Sequence, residues 1–177
     1  MTRDDELAFL RESTTPPRRS VVELIADDEL DAELAALAWI LVEARLPLIV
    51  AGLQQGAGKT TLFEAILDFL PPDARRFELA GTMEDFAWLP EAETLGWTRE
   101  GSAREEPPAA VPVSPASAYL TAAELSEHLP VYTWGRAART LVRAASLGYG
   151  IGGTIHADRL EDVHAMLRSR SIGLTDD

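Results

Sequence analysis

A glycine-rich stretch between an apolar run and an amphipathic run constrains the fold of this chain most tightly. Residues 46–70 read LPLIVAGLQQGAGKTTLFEAILDFL. The apolar run, bounded by Pro47 and Gly52, is typical of a buried strand in a parallel sheet. The run after Gly58 has one apolar face and is followed by two prolines, which predicts a helix. A strand, a glycine loop and a helix in this order indicate a phosphate-binding loop.

The loop departs by one position from the usual spacing of that motif, G-x-x-x-x-G-K-[ST]. Counting back from the Gly-Lys-Thr at 58–60 puts the first glycine's position on Leu53, one residue after Gly52. Gly56 and Gly58 can still let the backbone approach a ligand closely. Two explanations stay open: a loop one residue longer that starts at Gly52, or a strained Leu53. The plain alternative is an ordinary glycine turn that caps a helix.

The predicted nucleotide-binding residues are Gly56, Ala57, Gly58, Lys59, Thr60 and Thr61. Backbone N–H groups of such a loop surround phosphate oxygens, and the lysine reaches the β- and γ-phosphates. The Thr60 hydroxyl would ligate Mg²⁺, so ATP and Mg²⁺ are the predicted cofactors. Lys59 is the single lysine of the chain, whose other basic residues are all arginine.

Composition excludes several classes of protein. The chain has no cysteine, and its three histidines are scattered, so a thiolate or zinc site is not expected. A net charge of −13 would repel a phosphate backbone, so no nucleic-acid partner is expected. An acidic start and the lack of a long apolar run predict a cytoplasmic protein that can dock on a membrane complex. Many acids with almost no lysine also suit a halophilic cytoplasm.

The 177 residues predict one α/β domain. Residues 1–20 are expected to be a flexible lead-in, 21–170 the core with a proline-rich loop at 102–118, and 171–177 a tail.

Several further elements are predicted inside the core. A helix capped by Asp27 or Asp28 is expected, with Leu30, Leu34, Leu37 and Leu41 on its apolar face. Residues 75–80 and 131–135 are predicted strands, and residues 118–130 and 136–147 predicted helices. The last strand is expected within 149–158, followed by a helix capped by Asp158. Alternation of strands and helices indicates a parallel sheet.

Four stretches, in order, resemble the type II/IV secretion ATPases, particularly the archaeal branch that serves type IV pili and archaella. They are DELDAELAALAWILVEARLPLIVAG, AGLQQGAGKTTLFEAILDFLPPDAR, WTREG at 97–101, and GYGIGGTIHAD at 148–158, which is similar to the family's histidine box. Together they cover about residues 20–169. The resemblance implies an α/β P-loop NTPase with a RecA-like core, a mainly parallel sheet flanked by helices, and ATPase activity.

The same resemblance implies two catalytic residues and shows two departures. Glu84 matches the second glutamate of the family's acidic box, and His156 the histidine-box residue near the γ-phosphate. Ala80 and Gly81 stand where the family has the first acids of that box. The stretch PVYTWG matches the family's Walker B strand, with Tyr132 in place of its glutamate. Without that carboxylate, hydrolysis of ATP is left open.

The resemblance also implies partners and leaves alternatives. The family forms rings of six, so a homo- or hetero-oligomer and a membrane platform protein of a secretion or pilus system are expected. A non-catalytic nucleotide-binding assembly module, lacking the Walker B acid, is the alternative function. A gene remnant without a stable fold is a third possibility, and a small-molecule kinase is disfavoured because no arginine-bearing lid is found. A stripe of arginines at 136, 139 and 143 is expected to be a solvated face or, second, a subunit contact.

Overall fold

The chain folds around one small sheet. The computed structural model describes residues 18–54, 56–98 and 113–174. The strands are β1 (Leu48–Ala51), β2 (Arg75–Glu78), β3 (Ala118–Ala122) and β4 (Gly150–Ile155). The α-helices are α1 (Val21–Ala26), α2 (Ala32–Glu43), α3 (Lys59–Leu67), α4 (Gly135–Ala144) and α5 (Leu160–Leu167), with 3₁₀ turns at Gly81–Met83 and Ala145–Leu147.

All four strands run parallel, in the order β1-β4-β3-β2. The two central strands, β3 and β4, are buried along their whole length, whereas β1 and β2 are only partly buried. Helices cover the sheet because every parallel connection must cross over one of its faces. The predicted class, α/β with a parallel sheet flanked by helices, is confirmed at this level.

Glycines in β4 let the central sheet pack closely. A Cβ at Gly150 would lie 2.3 Å from the Cδ2 atom of Tyr119, and one at Gly152 would lie 2.8 Å from the Cε2 atom of Phe63. Rings from the neighbouring strand and from α3 therefore occupy the space that side chains of β4 would fill. This close packing brings α3, and the loop before it, against the middle of the sheet.

The predicted helix at 118–130 is wrong, because the chain forms β3 there. Alanine, leucine and glutamate favour helix, but all five residues of β3 are buried between β2 and β4. Burial and strand pairing override intrinsic helix propensity here. The predicted strand at 131–135 is also wrong, since only Thr133 pairs there, in a single bridge with Leu125.

Two helix starts differ from the predictions. The helix expected from Asp27 or Asp28 begins later, at Ala32, and a separate helix, α1, precedes it. Asp28 lies between the two helices in a left-handed conformation with φ of 57°. Asp31 caps the second helix by accepting a hydrogen bond from the Leu34 N–H at 2.7 Å. Asp158 is not a cap, because α5 begins after Arg159 and has no side-chain cap.

The arginine stripe of α4 binds backbone and is not merely a solvated face. Its members are Arg136, Arg139 and Arg143. Arg139 donates to the backbone carbonyls of residues 170–172 at 2.8 to 3.2 Å. The other two donate to carbonyls within residues 95–98 at 2.8 and 3.1 Å. The stripe therefore fastens two irregular segments to α4.

Parts of the predicted organisation lie outside the described residues. These parts are residues 1–17 of the lead-in, 102–112 of the proline-rich loop and 175–177 of the tail. Within the described part, Ile172 is almost fully buried in the main core, although the tail was expected to begin at residue 171. The proposed domain boundaries otherwise stay predictions.

Gly81 is required by close packing against another loop. Its φ is +61°, and a Cβ there would lie 2.3 Å from the Pro130 carbonyl oxygen. The neighbouring Thr82 N–H donates to that same oxygen at 2.8 Å. The residue therefore fixes the segment after β2 against the segment that carries Tyr132.

We expect Gly81→Ala to lower the free energy of unfolding by about 2 kcal/mol more than Gly135→Ala does. Gly135 is a matched control because its φ is +59° and nothing lies within 4 Å of its Cβ position. Both variants carry the left-handed strain, and only the first adds the clash with backbone atoms. Urea denaturation measures the difference, and equal losses would contradict the packing explanation.

Candidate functional site

An open cleft of about 580 Å³ lies at the carboxyl ends of the strands. The lining residues are 56–61, Glu124, His128, Leu129, Tyr132 and His156. All six of the predicted nucleotide-binding residues and the predicted His156 are therefore brought together. Clefts at this edge of parallel sheets are the usual ligand sites of α/β proteins.

The loop reaches α3 through two glycines in the left-handed region. Gly56 and Gly58 both have φ of 78°, which strains any other residue type. Gly58 is the N-cap of α3 and supplies no side chain to cap the helix. The first N–H groups of α3 are therefore open to an anion from the cleft, on the positive end of the helix dipole.

Gly52 is explained by the path of the Lys59 side chain. A Cβ at Gly52 would lie 3.2 Å from Cγ and 3.3 Å from Cδ of Lys59. The Gly52 N–H still donates to the Ile155 carbonyl at 3.2 Å, so the chain leaves the sheet only after it. Leu53, in the expected glycine position, projects outward with 62% of its surface exposed. Of the two explanations left open above, this geometry favours a loop that starts at Gly52.

Lys59 is buried beneath the loop that it follows. Only 7% of its surface is exposed, and its Nζ donates to the Gln54 carbonyl oxygen at 3.3 Å. A buried ammonium is costly unless polar groups surround it. One neutral carbonyl at this distance is a weak partner. A charged oxygen in its place would form a stronger hydrogen bond with the ammonium.

Glu124 provides a carboxylate that the sequence comparison did not find. It follows β3 by two residues, and the Leu125 N–H donates to the Thr154 carbonyl at 2.8 Å, so the pairing with β4 continues past β3. The Thr154 hydroxyl donates to the Ala123 carbonyl at 2.7 Å, which fixes the other side of Glu124. The interpretation that Tyr132 replaces the strand-end acid is therefore wrong, because the stretch around Tyr132 forms no strand, whereas Glu124 follows the end of β3 beside β4.

The Glu124 carboxylate is buried and only partly satisfied. Its residue is 7% exposed, and among the described residues its Oε1 atom has no hydrogen-bond partner. The His156 Nε2 atom lies 3.2 Å from that oxygen without hydrogen-bond geometry. A buried carboxylate oxygen without a hydrogen bond is costly unless a ligand, a cation or water completes it.

His156 lies between this acid and the loop. Its Nδ1 atom is 3.1 Å from the Leu53 carbonyl oxygen, which can only accept, so Nδ1 carries a hydrogen. Its Nε2 atom faces Glu124. The imidazole therefore joins the loop after β1 to the acid after β3.

Tyr132 is next to the same carboxylate. Burial, and secondarily the negative charge of Glu124, raise the pKa of its phenol. Both side chains line the same cleft, and a nearby anion disfavours the phenolate.

Glu84, the other predicted catalytic residue, does not line this cleft. Its Oε1 accepts from the Asp85 and Phe86 N–H groups and from Trp88 Nε1, at 2.7 to 3.1 Å. Its Oε2 accepts from the Ala80 N–H at 2.9 Å. The buried carboxylate thus organises the loop after β2. The apolar run before Glu124 is the sequence signal that could have indicated this residue. Interpreted as a strand, that run places Glu124 at the end of the strand.

A second cleft of about 490 Å³ also borders the loop. Leu24 of α1, Val50 of β1 and Leu62 of α3 give it an apolar wall, and Glu29 adds one acid. The backbone of residues 56–59 borders both clefts. A ligand with an apolar ring and an anionic tail could therefore occupy the two together.

The described residues offer neither a preformed metal site nor a membrane-spanning helix. They contain no group of three or more histidine and acidic side chains placed to hold a metal ion by themselves. None of their helices is both long and apolar enough to cross a membrane.

Comparisons with known proteins assign no family. No family model matches the chain. It is 34% identical over 65 residues to Uncharacterized protein MJ0900 of Methanocaldococcus jannaschii, which is 37% of this chain and 12% of that protein. Its structure is similar to that of the VirB11 ATPase from the Brucella suis type IV secretion system in complex with sulphate, with a TM-score of 0.45 and 24% identity.

Both matches cover only part of the other protein's length. The structural match covers 96% of this chain and 52% of the VirB11 chain, so the chain spans about half of that protein and 12% of the archaeal one. A TM-score of this size does not by itself assign a fold family or an activity.

We expect Glu124→Gln to lower the pKa of Tyr132 while leaving it above the value of a free tyrosine. The substitution removes the negative charge that disfavours the phenolate, and burial keeps the rest of the upward shift. The chain has three tyrosines. Burial raises the pKa of Tyr119 and Tyr149 more strongly, so Tyr132 ionises first.

Ultraviolet titration of the tyrosines measures this pKa. Glu127→Gln is the matched control, since it removes an exposed acid three residues away, outside the cleft lining. An unchanged first transition in Glu124→Gln would contradict the placement of Glu124 beside Tyr132.

Proposed function

We propose that the chain is an ATP-binding domain of the P-loop NTPase kind, with a RecA-like core, and that it hydrolyses ATP. The observation that carries the proposal is the pairing, in one cleft, of the buried Lys59 ammonium with the buried Glu124 carboxylate. Transfer of a phosphoryl group to water needs a cation that binds the phosphate and a carboxylate that orients the water.

The phosphates of ATP would lie on the loop at residues 56–61. The N–H groups at the start of α3 and the Lys59 ammonium donate to anionic oxygens, and the left-handed glycines let the backbone come close. The nucleoside would lie in the second cleft, against Leu24 and Leu62. The single apolar wall supports a base and does not select one base over another.

Mg²⁺ fits the residues of this cleft as an ion carried by the nucleotide. The Thr60 hydroxyl is the proposed protein ligand, and the incomplete Glu124 carboxylate can hold water of the ion's shell. The absence of a three-residue metal cluster among the described residues agrees with an ion that takes most ligands from phosphates and water. When bound, Mg²⁺ neutralises charge on the β- and γ-phosphates.

Glu124 is the proposed group that orients and deprotonates water. Water attacks the γ-phosphorus, the bond from that phosphorus to the bridging oxygen breaks, and ADP leaves with the electron pair. The proton of the water passes to the Glu124 carboxylate. His156 is proposed as a catalytic residue near the γ-phosphate. Its contact with the Leu53 carbonyl supports a role in linking the γ-phosphate to the position of the loop. Glu84, by its hydrogen bonds, is better suited to holding its own loop.

The cellular role that we propose follows the resemblance to the type II/IV secretion ATPases. ATP binding and hydrolysis would drive assembly or secretion in a type IV pilus or archaellum system, from a homo- or hetero-oligomer docked on a membrane platform protein. The alternative of a non-catalytic assembly module depended on a missing carboxylate. Glu124 supplies one, which favours the enzyme.

We expect Lys59→Ala to weaken Mg²⁺-ATP binding by about 1.5–3 kcal/mol, because the charge-assisted contacts with phosphate are lost. Isothermal titration calorimetry in molar KCl measures it. Arg18→Ala is the control, since it removes the same charge from the surface, where Arg18 pairs with Asp68. Equal affinity in wild type and Lys59→Ala would overturn the phosphate site.

We expect Glu124→Gln to lower the rate of phosphate release by a factor of about 10²–10⁴ while Mg²⁺-ATP still binds. The amide keeps the size of the side chain and loses its ability to take a proton. Glu127→Gln should leave turnover unchanged. If Glu84→Gln abolishes turnover at unchanged stability and Glu124→Gln does not, the acid is Glu84. If neither the wild type nor any variant releases phosphate, the non-catalytic assembly module is the better explanation.

A further inference from the structure

Ser126 and His128 form a hydrogen-bonded pair on the wall of the cleft. The Ser126 hydroxyl oxygen lies 2.5 Å from Nδ1 of His128 and accepts from the His128 backbone N–H at 3.2 Å. Ser126 is buried, with 4% of its surface exposed, whereas His128 is exposed and lines the cleft. His128 falls within the stretch predicted as a helix at 118–130, and no helix exists there.

The hydrogens of this pair fix the form of the imidazole. The hydroxyl oxygen already accepts from a backbone N–H, and among the described residues its own hydrogen has no acceptor except Nδ1. Nδ1 therefore accepts, and the neutral ring carries its hydrogen on Nε2. Nδ1 faces the buried serine, so Nε2, on the opposite edge of the ring, faces the open side.

The open side is the phosphate side of the cleft. His128 shares the cleft with residues 56–61 and His156, the same set proposed to hold ATP. The two other cationic or imidazole groups there, Lys59 and His156, each contact a carbonyl of the loop. His128 contacts Ser126 instead, so its Nε2–H can be given to a ligand without releasing the loop.

We propose that His128 donates its Nε2–H to the phosphate tail of the bound nucleoside triphosphate, and that Ser126 is a positioning residue that holds the ring in the required tautomer. The proposal rests on the proposed function of the cleft. It adds a phosphate contact from a residue after β3 to those of the glycine loop. The hydroxyl of Ser126 prepares the donor before the ligand arrives, which lowers the entropic cost of the contact.

The tautomer is tested without any ligand. In ¹⁵N spectra of the full chain, the neutral His128 ring should show a hydrogen-bearing Nε2 and a bare Nδ1, and Ser126→Ala should give a mixture of tautomers. His156 provides an internal contrast, since its Nδ1 carries the hydrogen. A hydrogen on Nδ1 of neutral His128 in the wild-type chain would overturn the assignment.

The phosphate contact is tested by binding of the non-hydrolysable analogue with an imido bridge between the β- and γ-phosphates, as its Mg²⁺ complex. His128→Ala should weaken binding about tenfold, because a hydrogen bond to a charged oxygen is lost. His128→Gln should recover part of the affinity, since its amide can donate from a similar position. Ser126→Ala should give a smaller loss, about threefold, because the ring then spends part of its time in the wrong tautomer.

A matched control separates this result from failure of the whole site. His164→Ala removes an exposed imidazole on α5, outside the cleft lining, and should bind like wild type. If wild type binds and Lys59→Ala does not, yet His128→Ala binds like His164→Ala, the role of His128 is refuted and the site stands. If wild type and Lys59→Ala bind equally, the proposed function itself fails.

Discussion

The continuation of strand pairing beyond β3 is the constraint on which the rest of the site depends. The Leu125 N–H bonds to the Thr154 carbonyl, and the Thr154 hydroxyl bonds to the Ala123 carbonyl. The backbone of Glu124 lies between these two contacts, which hold it beside β4. Since β4 also pairs with β1, the acid, the histidine after β4 and the loop after β1 are all positioned by one ladder of backbone hydrogen bonds. The geometry of the cleft is thus set by the sheet more than by the flexible side chains.

The sequence predicted the loop side of this arrangement well. Strand β1, the glycine loop and α3 were readable because apolar periodicity and glycine chemistry act locally. Strand β2, helix α4 and strand β4 also lie where they were predicted. His156 was found through the resemblance, and the structure brings it beside the loop.

The acid side of the cleft was not predicted, for physical reasons. The stretch from Ala118 has alanines, leucines and a glutamate, whose intrinsic preference is helical. What makes it a strand is its position between β2 and β4, a non-local effect that no window of sequence contains. Because that strand was missed, its acid was missed too, and Tyr132 was compared with the wrong position. His128 lies in the same mispredicted stretch, and on a helix its side chain would not face that of Ser126, two residues earlier.

The resting contacts of the loop bear on how a nucleotide would bind. Lys59 and His156 contact two consecutive loop carbonyls, of Gln54 and Leu53. These are neutral acceptors, so replacing the first with a phosphate oxygen strengthens the hydrogen bond of the ammonium. The contact of His156 Nδ1 with the Leu53 carbonyl can remain, because the other ring nitrogen, Nε2, is the one that faces Glu124. A bound phosphate would therefore release one side of the loop while His156 keeps the other beside Glu124, and the acid would stay in register with the loop throughout.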